Sequence, residues 1–241
     1  MSPQNSENRI PELDGLRGTA IFLVVLLHFT TGEGYLQPHS IARVLKRLAV
    51  MGWTGVDLFF VLSGFLIGGI LIDARSSPRY FKTFYFRRFY RIIPIYYLWI
   101  LLYVLVAFLA GHFIQAHSYP GPAPLLGFAV YSHFLFLQNI WIVDLPGVAG
   151  AWLGPTWSLA VEEQFYLVSP LFVRLLLRRW LPAYLAGIIL AVPLFRIFLL
   201  SVIHHGSWAI TVLTPCRADT LAVGMLAAVA WRDPAARAWP R

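Results

Sequence analysis

Gly55-Val56-Asp57-Leu58-Phe59-Phe60-Val61-Leu62-Ser63-Gly64-Phe65-Leu66-Ile67-Gly68-Gly69-Ile70-Leu71-Ile72 is a run of eighteen residues with one ionisable side chain, Asp57. About twenty apolar residues carry a helix across a bilayer core, so this run, taken as 50–72, reads as a membrane span. The rest of the chain agrees with it. Of 241 residues 59% are hydrophobic and 12% charged, where a soluble domain carries roughly a quarter charged side chains. The mean hydropathy is +0.68. A soluble fold would need a core too large for its polar surface to cover, and is excluded. The expected fold class is all-α, a polytopic transmembrane helix bundle.

Further apolar runs lie at 18–31, 92–111, 157–177, 181–203 and 213–231, with a shorter one at 125–141 that carries His133, Gln138 and Asn139. Segment 73–91 is the most basic, with Arg75, Arg79, Lys82, Arg87, Arg88 and Arg91 between aromatic side chains. That mixture suits a helix in the headgroup region. The excess of 19 Lys and Arg over 11 Asp and Glu then reads as cytoplasmic anchoring against anionic lipid, not nucleic-acid binding. Basic residues put 73–91, Arg174, Arg178, Arg179 and the tail 232–241 inside, while 111–153 has no Lys or Arg and belongs outside. The N-terminus is then cytoplasmic, and 125–141 dips in and returns. Arg43, Lys46 and Arg47 of the first external loop are a mild exception. The expectation is six to seven spans in a single domain, 1–231. The single cysteine, Cys216, excludes an internal disulfide and a cysteine metal site. The run after Arg17 lacks a small-x-small cleavage site and reads as a retained span.

An ionisable group at bilayer depth is costly unless paired or facing a wet cavity, which makes each one a functional candidate. They are His28, Asp57, Glu162, Glu163, Arg196, Arg217 and Asp219. Arg17 and His28 are eleven residues apart, so they share a helix face about 16 Å apart. Ser158, Glu162 and Tyr166 follow at i, i+4 and i+8 and share another face. Glu162 could orient a histidine on a facing helix, or join an interhelical polar clasp. Arg217 and Asp219 read as a local ion pair or as an anion-binding arginine held by its neighbour. Asp57 could pair with Arg17 or His28, and Ser63 and Gly64 allow close backbone approach. Arg88 and Arg91, one turn apart, could grip a phosphorylated ligand or lipid headgroups. Gln164 adds little, and His204 and His205 read as loop residues. No metal site is expected.

Several of these pieces match one family pattern. Pro11-Glu12-Leu13-Asp14-Gly15-Leu16-Arg17-Gly18 with His28 resembles the Arg-x10-His pattern of the acyltransferase 3 family. Residues 55–65 resemble its second-helix signature, and Phe86-Arg87-Arg88-Phe89-Tyr90-Arg91-Ile92-Ile93-Pro94 its Arg-x-x-Arg box. Thr156-Trp157-Ser158-Leu159-Ala160-Val161-Glu162-Glu163-Gln164-Phe165-Tyr166 is similar to its Ser-x3-Glu-x3-Tyr box, and Arg217-Ala218-Asp219 to a later Arg-x-Asp element. The resemblance implies a bacterial inner-membrane enzyme that moves an acyl group, commonly acetyl, from acyl-CoA to a hydroxyl of a glycan, lipid-linked sugar or similar acceptor. It implies His28 as general base or acyl carrier, with Glu162 or Asp57 as its carboxylate. Arg17, Arg88, Arg91, Ser158 and Tyr166 would bind the donor, and Arg217 with Asp219 the acceptor or oxyanion. Family domains usually have about ten membrane helices, so six or seven spans read as a truncated version whose missing helices a partner subunit could supply. The rival readings are a transporter or flippase-like protein, and a non-catalytic partner of another acyltransferase chain.

Overall fold

The computed structural model describes residues 11–30, 51–114, 128–144, 150–203 and 206–233. All regular structure among the described residues is helical. The long helices are α1 (Pro11–Thr30), α2 (Trp53–Asp73), α3 (Tyr80–Ile114), α7 (Trp157–Leu175), α8 (Leu181–Val202) and α10 (Thr214–Trp231). Between them lie the short helices α4 (Phe128–Phe134), α5 (Gln138–Asp144), α6 (Gly150–Leu153) and α9 (Gly206–Val212).

The six long helices cover the expected spans with two differences. Helix α1 starts at Pro11 instead of 18, with proline in the position that needs no N–H donor and Glu12 and Asp14 facing the helix dipole. Segment 73–91 does not form a helix of its own. After a turn, its residues from Tyr80 onward are the first turns of a 35-residue helix that continues through Pro94. At 1.5 Å per residue α3 is about 50 Å long, well beyond a hydrocarbon core of about 30 Å, so its basic turns project past the apolar layer. By length and apolarity four described stretches qualify as membrane spans: Trp53–Asp73, Tyr80–Leu109, Leu181–Val202 and Trp208–Trp231. Glu162, Glu163 and Gln164 lower the apolarity of α7 below theirs. The count of six to seven spans therefore finds direct support for four.

Contacts along the helices fix their directions. Helices α2 and α10 run parallel, because Asp57 meets Arg217 at one end and Asp73 meets Arg232 at the other. Helix α3 runs opposite to α7: the Tyr80 hydroxyl donates to Pro170 O at 3.1 Å and that of Tyr85 to Leu167 O at 2.8 Å. The C-terminal ends of α2, α7 and α10 thus gather with the N-terminal ends of α1, α3 and α8. Region 125–141 is broken into α4 and α5, seven residues each, at Leu135-Phe136-Leu137. Phe136 has φ 54°, in the left-handed region that a bulky residue enters only when its surroundings hold it. Its ring stacks on Tyr96 with centroids 4.7 Å apart, and its carbonyl accepts from Gln164 Nε2 at 2.7 Å.

The closest helix contact is between α2 and α10. A Cβ on Gly64 would sit 2.1 Å from Leu221 O, and one on Gly224 2.0 Å from Val61 O. Lipid is as apolar as a leucine side chain, so helices in a bilayer associate through close van der Waals packing, and two glycines let these backbones touch. Gly55 plays the same part against Ala20 of α1, where a Cβ would lie 2.8 Å from a carbonyl. Replacement of Gly224 by Val should force the pair apart and lower the Tm in detergent by about 5–10 °C, or abolish the monodisperse species. Gly187→Ala, which meets nothing within 4 Å, should leave both unchanged in the same size-exclusion and thermal assays.

Candidate active site

Helices α1, α2, α3 and α7 enclose a cavity of about 270 Å³ lined by Arg17, Ser63, Arg88, Arg91, Glu162 and Tyr166 with apolar neighbours. Each polar residue arrives by helix periodicity. Glu162 and Tyr166 are one turn apart on α7, Arg88 and Arg91 one turn apart on α3, and Ser63 faces them from α2. Glu162 is 5% exposed. Its carboxylate lies against the hydroxyls of Ser63 and Tyr166 and shares the cavity lining with Arg17, Arg88 and Arg91. The two hydroxyls are 3.1 Å apart, and the Arg88 guanidinium lies 5.3 Å from the centre of the Tyr166 ring. Arg17 also approaches Asp14 at 3.6 Å, at the exposed edge. Three guanidinium groups therefore face one buried carboxylate. Arginines outnumber carboxylates along the lining of this cavity.

A second cavity of about 430 Å³ shares Arg88 and Tyr166 as its wall and adds Glu163, Gln164, Leu135 and Phe136. Glu163 has one buried carboxyl oxygen without a hydrogen-bond partner. Gln164 points a further 100° around α7 into a knot of amides. It donates to Asn139 Oδ1 at 2.9 Å and accepts from the Thr214 hydroxyl. Asn139 donates to Val212 O at 3.2 Å, while Gln138 donates to Thr156 O at 2.9 Å and to the Tyr96 hydroxyl at 3.0 Å. The expectation that Gln164 adds little is corrected. It ties α5, α7 and α10 together where lipid offers no water to satisfy them.

Ion pairing near the other end of α2 also differs from the sequence reading. Arg217 does not pair with Asp219. It binds Asp57 at 2.8 Å and donates to Thr211 O at 2.6 Å, with its guanidinium 5.7 Å from the Trp157 ring centre. Asp219 accepts from Arg196 of α8 at 2.7 Å, a pairing that only the three-dimensional packing of α8 on α10 creates. Asp57 is thereby held by Arg217, where Arg17 or His28 was the expected partner; Arg17 lies instead beside Asp14. Ser158 shares a face with Glu162, yet it donates to Pro155 O at 3.1 Å and does not line the cavity. His28 belongs to α1, eleven residues beyond Arg17 and about 16 Å further along the axis. Its side chain lies outside the described residues, as do His204, His205, Arg43, Lys46 and Arg47.

Five of the ten candidates thus meet in one cavity: Arg17, Arg88, Arg91, Glu162 and Tyr166. Asp57, Arg217 and Asp219 form a separate ion-paired region. Ser63 is the cavity residue that sequence reasoning passed over as merely small, and a hydroxyl in the middle of an apolar run was its only signal.

Known proteins resemble this chain over most of its length. A family model described as an acyltransferase domain matches residues 10–241. The peptidoglycan O-acetyltransferase OatA of Listeria monocytogenes is 31% identical over 205 residues, covering 83% of this chain and 30% of that protein. The O-acetyltransferase OatA of Staphylococcus aureus is 30% identical over 233 residues, covering 94% of this chain and 35% of that protein. The chain spans about a third of the length of these curated relatives. No solved structure matches it. With the family pattern covering nearly every residue and a buried carboxylate facing three arginines in the same helix bundle, the chain belongs to the acyltransferase 3 family of membrane proteins.

Proposed function

We propose that this chain transfers an acetyl group from acetyl coenzyme A to a hydroxyl of a cell-wall glycan. The observation that carries the reading is the cavity that Arg17, Arg88 and Arg91 line together with Glu162. The family membership and the peptidoglycan acetyltransferases among its relatives support the reaction class. The basic ends of α2, α3, α7 and α10 face the cytoplasm by the positive-inside rule, which puts the N-terminus inside and the donor cavity within reach of a cytoplasmic thioester.

In this reading Arg17, Arg88 and Arg91 hold the anionic donor by charge-assisted hydrogen bonds. Glu162, braced by the Ser63 and Tyr166 hydroxyls, keeps Arg88 in place and stops the three cations from repelling one another. His28, toward the outer end of α1, removes the proton from the acceptor hydroxyl as its oxygen attacks the thioester carbonyl. The carbon–sulfur bond then breaks, and the thiolate takes up the proton that His28 holds. Arg217, fixed by Asp57 and Thr211 O, lies nearer the outer end and orients the acceptor. Asp219 acts at one remove through Arg196.

Membranes containing the chain, supplied with radiolabelled acetyl coenzyme A and cell-wall fragments, should transfer label to glycan. His28→Ala should cut that transfer by about 100-fold or more while the protein inserts and folds as before. Full activity in that variant would remove His28 from the chemistry. Glu162→Gln should reduce kcat about tenfold or more and weaken donor binding. An unchanged rate and an unchanged KM together would show that the carboxylate is only structural.

A further inference from the structure

A third cavity, about 370 Å³, opens at the basic end of the bundle, and its lining includes Arg75, Arg174, Arg178 and Arg232 with Ile72 and Leu181. Among the described residues no carboxylate lines it. It is separate from the donor cavity: Arg174 is eight residues beyond Tyr166 on α7 and Ile72 nine beyond Ser63 on α2, so it lies about 12–13 Å further along both axes.

Two of its four arginines are built in. Arg232 grips Asp73 with two parallel hydrogen bonds, Nε to Oδ1 at 2.7 Å and Nη2 to Oδ2 at 2.6 Å. It also donates to Ala228 O at 3.2 Å and lies across Gly69, where a Cβ would come within 2.6 Å of Nη2. Arg75 donates to Leu176 O and, at 3.4 Å, to Arg174 O, the free carbonyls at the end of α7. The other two are placed without a carboxylate. Arg174 lies 5.5 Å from the centre of the Tyr80 ring, and neither Arg174 nor Arg178 has an acidic partner among the described residues. Four guanidinium groups around one concavity repel each other, and among the described residues the carboxylate that touches them is Asp73, on Arg232. Planar donors that converge from the end of α7 and from the turns after α2, α7 and α10 match the oxygens of a phosphate group, and the apolar floor of Ile72 and Leu181 suits what the phosphate is attached to.

We propose that this pocket binds a phosphate-bearing anion. The phosphate can belong to a nucleotide from the cytoplasm or to the headgroup of an anionic phospholipid, and both use the same contacts. The proposal stands apart from the assigned chemistry of the Glu162 cavity, since its test reads binding and not acetyl transfer.

The purified chain in neutral detergent would be titrated with adenosine 3′,5′-bisphosphate. In parallel, the chain in phosphatidylcholine nanodiscs with and without phosphatidylglycerol would be examined for retained lipid by native mass spectrometry. Arg174→Gln/Arg178→Gln should weaken whichever probe binds by about tenfold or more, and inorganic pyrophosphate should displace that probe from the unaltered protein. Both substituted side chains are exposed, so folding is not at stake. Arg179→Gln, a neighbour outside the pocket, should leave binding unchanged. Loss with the nucleotide alone identifies a soluble ligand, and loss with the lipid alone a headgroup. Absence of binding by both probes, equal binding to the double variant, or an equal loss in Arg179→Gln would overturn the proposal.

Discussion

Backbone touches backbone where Gly64 and Gly224 let α2 and α10 close on each other, and most of the molecule is referred to that contact. The two helices are parallel and hold one register along their length. Asp57 pairs with Arg217 160 positions later, and Asp73 with Arg232 159 positions later. The glycine contacts fall midway between these two pairs. Burial of apolar surface does little to join helices that lipid already solvates. Steric fit in the middle and charge at both ends therefore do the joining. Once α2 is fixed on α10, its other faces meet α1 through Gly55 and α7 through Ser63, and those two contacts frame the donor cavity.

Charge in this molecule is sorted by depth. At the basic end Arg75, Arg174, Arg178 and Arg232 are balanced by one carboxylate that touches them. In the middle, three arginines line one cavity with Glu162. Toward the far end, Asp57 with Arg217 and Asp219 with Arg196 are matched one to one. A matched pair in a poorly hydrated region has little remaining capacity to attract a charged ligand, whereas an unmatched surplus does. In the proposed function, this gradient suits an anionic donor at the basic end and an uncharged hydroxyl at the far end.

The helices and the family were legible in the sequence because both rest on local signals: apolar runs long enough to cross a bilayer, and short motifs spaced by helical periodicity. Arg17, Glu162, Tyr166, Arg88 and Arg91 were found in that way. What could not be read was which charge meets which. Asp219 is two residues from Arg217, yet the helix turns them 200° apart, and Arg196 from another helix takes the carboxylate. The same rotation explains Gln164, dismissed beside two glutamates because an amide has no charge, although an unpaired amide in lipid still costs several kcal/mol. The continuous α3 was hidden for another reason. Composition changes sharply at Arg91, and a change of environment along one helix looks, in sequence, like the end of it.

Residues 162, 163 and 164 are consecutive, and each is turned 100° from the last, so one short stretch of α7 serves three places at once. Glu162 enters the donor cavity, Glu163 the neighbouring cavity behind Arg88 and Tyr166, and Gln164 the amide knot with Asn139 and Thr214. The knot is what fixes the rotation of the helix. With Gln164 bound to α5 and α10, α7 cannot turn without breaking several buried hydrogen bonds, and Glu162 therefore stays turned toward Ser63 of α2. Side chains that never touch a ligand thus determine the direction in which the buried carboxylate points. The polar triplet that made α7 the least lipid-like of the long helices also keeps its charged face aimed inward.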